Sequence, residues 1–369
     1  MNLQFSLYLD LIRFLAAILV VLYHANVRYL STEILPLSSH GHIAVIFFFV
    51  LSGYVIAYVT DIKESRLSLY WSSRLSRIYS VALPVIIITP LLDLAGLNIS
   101  QYPIIYHDTP NDWWPIRILA SLFFLNETWF NSIMCFSNTP FWSLCYEMSY
   151  YLIFSLLIFI KGRVRWWAVT VACLIIGPKI LLLFPVWLMG VYLHRTKKIK
   201  CISKLFGWIL FISSSIILTL WEYLDITNYF SEYVKALVGI KFHTQLAFSK
   251  YFLGDWVLGV LIFLNFTAFQ AIAEQFSILL NPLSRMIRYS ASFTLTLYLF
   301  HQPLIQFYAA LISGEKGNIV YFWQTMTATM LTIFALGHLT EHRREEIRRW
   351  LLIKLSILEQ HPYIRKITT

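Results

Sequence analysis

The sequence predicts an all-α, polytopic integral membrane protein with about ten transmembrane helices and both termini in the cytoplasm. Three observations carry that prediction. Of 369 residues, 58% are hydrophobic and only 13% are charged, where soluble domains average about 25% charged. With a mean hydropathy of +0.65, a soluble globule, a disordered chain and a coiled coil are all excluded. Apolar runs near the ~20 residues of one bilayer crossing recur along the whole length. Basic residues gather between alternate runs, the pattern that sets orientation in a membrane.

The first run, 7–27, holds Asp10 and Arg13 and lacks a small-residue cleavage site, so it reads as a retained helix rather than a signal peptide. Further spans are expected at 43–59, 78–94, 141–160, 164–176, 180–193, 205–221, 251–269, 289–311 and 319–338. The stretch 114–129 is weaker, because Arg117, Asn126 and Glu127 interrupt it. If it stays out of the membrane, segments 61–77, 161–165, 194–204, 269–288 and 341–369 face the cytoplasm. They hold 21 of the 29 Lys and Arg, against seven on the other side and Arg13 within the first helix. If it crossed, Lys161-Gly162-Arg163 and Arg195-Thr196-Lys197-Lys198 would be translocated, against the positive-inside rule. Residues 164–176 reach only ~20 Å as a helix, short of a ~30 Å hydrocarbon core. That region is therefore expected to form a short helical hairpin turning at Gly177-Pro178. The chain divides into a transmembrane domain, 1–340, and a basic cytoplasmic tail, 341–369, expected as an Arg- and Glu-rich helix on the inner surface.

Net charge is +10, and membrane orientation accounts for it without a nucleic-acid partner. Cys135, Cys145, Cys173 and Cys201 show neither C-x-x-C spacing nor paired order, so they read as small packing residues and no metal site is expected.

Ionisable groups inside apolar spans cost roughly 2.5–3.5 kcal/mol each on insertion scales, and each needs a reason. Arg13 and His24 share the first helix, about three turns or ~16 Å apart on nearly one face. Glu147 stands about two turns into its span with no basic residue within four positions. It must be protonated, face a polar cavity or pair with a distant cation, and His24 is the natural partner. His301 lies near mid-depth of its span, where Pro303 would free backbone carbonyls beside it. Arg74 and Arg77, at i and i+3, share a helix face and can fork onto a phosphate or simply mark the cytoplasmic side. Ser52-Gly53 interrupts an aromatic run, leaving room either for a close helix or for a substrate chain.

These residues assemble into a pattern. Leu11-Ile12-Arg13-Phe14-Leu15-Ala16-Ala17 with His24, Phe48-Phe49-Val50-Leu51-Ser52-Gly53-Tyr54, Arg74-Leu75-Ser76-Arg77-Ile78-Tyr79, Phe141-Trp142-Ser143-Leu144 with Glu147, and 292–303 with Tyr298, Leu299 and His301 follow one another in order. In this the chain resembles the membrane acyltransferase 3 family, whose members O-acetylate bacterial glycans. It differs at Ser80, often proline in the family, and at Met148, commonly acidic. The resemblance implies an acetyl-CoA donor from the cytoplasm and a carbohydrate or lipid-linked sugar acceptor, in a multi-pass protein of the inner membrane. It implies Arg13, Arg74 and Arg77 on the donor side, and His24, Glu147 and His301 in the chemistry. A transporter or flippase of a glycan would need similar buried charges, but usually shows two related halves, which this sequence lacks. A non-catalytic partner of a polysaccharide-export complex would not need the His24 and Glu147 arrangement.

Overall fold

The computed structural model describes residues 1–26, 30, 38–196 and 202–362. Arg28, Lys197, Lys198, Cys201 and the last part of the basic tail lie outside the described residues. The described chain is helical throughout, with 84% of it in helix and no strand among the described residues. Eight helical stretches in it are long and apolar enough to cross a membrane. In order the helices are α1 (Leu3–Ala25), α2 (Gly41–Lys63), α3 (Leu67–Ile99), α4 (Trp114–Leu122), α5 (Phe141–Phe159), α6 (Gly162–Ile176), α7 (Pro178–Arg195) and α8 (Lys204–Tyr223). There follow α9 (Ile226–Val238), α10 (Ile240–Gln245), α11 (Phe252–Ile272), α12 (Ser277–Leu280), α13 (Ser284–Ser292), α14 (Thr294–Ile312), α15 (Ile319–Thr340) and α16 (Arg344–Glu359).

The two arms expected as a hairpin are the helices α6 and α7. They have 15 and 18 residues. Gly177 separates them at φ 86°, a backbone that suits glycine, and Pro178 opens α7 where a missing N–H costs nothing. The weak stretch 114–129 yields only α4, nine residues and about 14 Å long, too short to cross. Its polar residues are spent on the following loop: Asn126 donates to Ser121 Oγ and the Ile133 carbonyl, and Ser132 donates to Glu127.

The expected span 78–94 lies inside a longer helix, because α3 begins at Leu67 and takes in Arg74 and Arg77 over 33 residues. The expected span 289–311 is broken at Phe293 into α13 and α14. Glu341 explains the break, since it accepts from the Thr296 N–H at 2.9 Å and the Thr296 hydroxyl at 2.8 Å, capping a new helix start.

The chain forms two compact units, each described by itself. The first comprises Met1–Ala16, His42–Lys63 and Ile176–Ala291. In it α11 packs on α8 and α7. Ser52-Gly53 here serves close packing: a Cβ on Gly53 would strike the Trp187 carbonyl of α7, and one on Gly190 the Val50 carbonyl of α2. Trp187 Nε1 donates to Ser52 Oγ at 3.2 Å, so α7 backbone fills the room that a substrate chain would need. The second unit comprises Ala17–Gly41, Glu64–Ile175 and Ser292–Thr369. There α3 packs against α14 and α16, and α14 against α15. Glu359 of α16 accepts from the Leu67 N–H and the Ser68 hydroxyl, so the tail helix caps the start of α3.

Candidate functional site

Five of the six expected site residues fall in the second unit, and the polar face of α14 organises them. Pro303 lacks an N–H, which leaves the Leu299 carbonyl without its helical donor. Asn138 Nδ2 supplies one at 2.7 Å. The same face is held at Gln302, which donates to Thr139 Oγ1 at 3.1 Å. Gln306 donates to the Ile105 carbonyl at 2.6 Å and to Thr109 Oγ1 at 2.7 Å. Tyr298 and Ser143 share a hydroxyl hydrogen bond of 2.7 Å.

On this anchored face His301 is fully buried, and its Nε2 lies 3.1 Å from Nδ1 of His24. His301 Nδ1 lies 3.1 Å from the Leu297 carbonyl, and His24 Nδ1 2.9 Å from the Val20 carbonyl. A carbonyl only accepts, so each Nδ1 carries the proton. The lone pair of His301 Nε2 then receives a share of the His24 Nδ1–H, and the basic lone pair of His24 is on Nε2. With that tautomer the rings form a directed chain, from His24 through His301 to a backbone carbonyl. Backbone Val20 and His301 thus set the His24 tautomer.

Glu147 is partly buried and accepts from the Tyr151 hydroxyl, four residues on along α5. It lies within electrostatic reach of Tyr298 and Tyr70. Tyr298 in turn sets its ring 6.3 Å from that of His301. Tyr70 bridges α5 and Arg74: its hydroxyl donates to the Tyr151 carbonyl at 3.0 Å, while the Arg74 guanidinium lies 3.7 Å over its ring.

The two arginines of α3 have different surroundings. Arg74 is buried, donates to the Glu64 carboxylate and to the Tyr70 carbonyl at 2.9 Å, and so has its charge balanced inside the unit. Arg77 is half-buried and acts on Glu341 and Arg344. The two therefore differ in burial, although i and i+3 lie on one side of a helix. Arg13 belongs to the first unit, where it pairs with Asp10 at 3.3 Å, one turn earlier.

Sequence reasoning missed Glu64, Tyr70, Tyr151 and Asn138, which hold the site residues in place. The signal for Glu64 was weak but present, an acid ten residues before Arg74 in a mainly basic segment; Asn138 is found only through the carbonyl that Pro303 liberates. Among the described residues no group of three or more His, Cys, Asp or Glu could hold a metal ion.

No curated protein and no solved structure matches the chain. A family model described as an acyltransferase domain matches residues 6–338. That range takes in every span from α1 to α15 and all six expected site residues, so the chain is an acyltransferase of the membrane acyltransferase 3 family.

Proposed function

We propose that the protein is an O-acyltransferase of the inner membrane that moves an acetyl group from cytoplasmic acetyl-CoA to a hydroxyl of a cell-surface glycan or lipid-linked sugar. The observation that carries this reading is the imidazole pair of His24 and His301, 3.1 Å apart in an apolar helical setting.

A sugar hydroxyl is a poor nucleophile, so a base must take its proton as the oxygen attacks the thioester carbonyl. His24 Nε2 is that base. Its reference pKa near 6.5 suits the task. The hydroxyl proton passes to Nε2, the new ester bond forms, and the C–S bond breaks to release CoA thiolate, which regains the proton from His24. While His24 is protonated, its Nδ1–H is held by the neutral His301 Nε2. A carboxylate in that place would carry a permanent charge into an apolar unit, at high cost. Glu147 acts one layer back, through Tyr151 and Tyr298. On the donor side, Arg77 faces the anionic CoA, and Arg74 with Glu64 holds α3 in place. Both termini face the cytoplasm, as the basic residues indicate.

The experiment is mass spectrometry of cell-surface glycans with and without the gene. The expected result is a loss of one acetyl mass from a component that is sensitive to mild alkali. Identical glycans in both strains, with the protein expressed, would contradict the reading.

A further inference from the structure

At the junction of α3, α14 and α16 the second unit gathers more positive charge than it neutralises. Arg344 and Arg348 lie four residues apart, on one face of α16. Helix α16 and the turn Glu341–Arg343 pack against α3, which carries Arg77. Both Arg77 and Arg348 repel the Arg344 guanidinium. Burial and then Arg77 hold Arg344 below its ordinary value, with Glu345 and Glu341 opposing. Those carboxylates are largely committed. Glu341 caps α14 through Thr296, and Glu345 meets Arg348 in a solvent-exposed pair at 3.3 Å, a kind worth little. Nε of Arg344 and Nε of Arg348 are buried and donate to no group among the described residues. The positive end of the α16 dipole lies at Arg344 as well.

Buried donors left unspent are costly, and like charges held together add to that cost. One anion with several acceptor oxygens relieves both, and a guanidinium fork matches phosphate. We propose that Arg77, Arg344 and Arg348 form a phosphate-binding site that makes the tail helix part of the working protein. The phosphate is borne either by the nucleotide portion of the thioester donor or by an anionic lipid headgroup. The first source deepens the acyltransferase reading and rests on it; the second does not. Trp350, Ile353 and Ile357 are exposed along α16, as a helix seated at a lipid surface requires.

The test uses the full chain in phosphatidylcholine nanodiscs, titrated with coenzyme A and with 3′-dephospho-coenzyme A. Parallel nanodiscs containing phosphatidylglycerol are read by native mass spectrometry. The variants are R344Q/R348Q, the charge-keeping R344K/R348K in case the first does not fold, and R285Q as an exposed control. A rise of about tenfold or more in the coenzyme A Kd, absent in R285Q, assigns the site to the donor phosphate. Loss of retained phosphatidylglycerol with coenzyme A affinity unchanged assigns it to lipid. Wild-type protein that binds no coenzyme A but holds phosphatidylglycerol through these arginines keeps the site and sinks the donor reading. Folded variants with wild-type behaviour toward both probes overturn the proposal.

Discussion

Each unit sets a histidine against a buried titratable partner, and the partners differ in kind. In the first unit His42 Nε2 meets Asp255 at 2.6 Å, with the carboxylate 1% exposed. In the second, His24 meets His301 at 3.1 Å. A carboxylate at that distance stabilises a charged ring and holds it, and removing either partner strands a buried charge. The second oxygen of Asp255 is already buried with no hydrogen-bond partner among the described residues, which leaves it little tolerance for further loss. A neutral imidazole makes a softer partner. It fixes the tautomer of His24 yet lets that ring gain and lose a proton. The same side chain becomes a tether or a base according to what it faces.

The largest expected effect is on His24. His24→Ala should lower acetyl transfer by about 10²–10⁴-fold, the usual worth of a general base, with thermal unfolding of the purified protein unchanged. The comparison breaks if this folded variant still acetylates. His42→Ala should do the reverse. It leaves Asp255 buried and unpaired, so unfolding free energy should fall by about 3–5 kcal/mol in an SDS titration, with turnover per folded molecule retained. A well-folded but inactive His42→Ala enzyme would show that the first unit also does chemistry. Glu147→Gln is expected to be milder, because the amide keeps an acceptor for the Tyr151 hydroxyl. A loss of about tenfold in kcat, ~1.4 kcal/mol, with donor KM unchanged, is the result that kinetics should give.

The smallest effects concern accessibility. Single cysteines at Asn111 and Glu232, both exposed, should react with an impermeant maleimide from outside intact cells, while one at Ser203 should not. Native Cys135 should stay unlabelled, since burial pushes its thiol up to about 12. Rapid labelling of Cys135 would mean that the loop holding Asn138, and with it α14, is open to water.

Much of this was legible in the sequence. Hydropathy and the placement of Lys and Arg fixed the class, the Gly177-Pro178 turn and the short α4, because these follow from local composition. His24, Glu147 and His301 stood out because an apolar span makes any ionisable residue conspicuous. The contact between His24 and His301 was not legible, because it depends on how α14 packs. Arg74 and Arg77 looked equivalent by spacing, yet Glu64 engages one of them from beyond the end of α2. The extension of α3 back to Leu67 and the break at Phe293 depend on caps from Glu359 and Glu341, nearly 300 and 45 residues away in the chain.

The central claim is that His24 and His301 act as one unit, and a double-mutant cycle on acetyl transfer tests it most directly. Groups that act together lose their effect together, not in proportion. Initial rates would be compared for wild-type, His24→Ala, His301→Ala and the double variant, all purified and matched for thermal unfolding. The account predicts that the double variant is no slower than His24→Ala alone. If instead the two losses multiply, the histidines contribute independently and the proton chain from His24 to His301 is wrong.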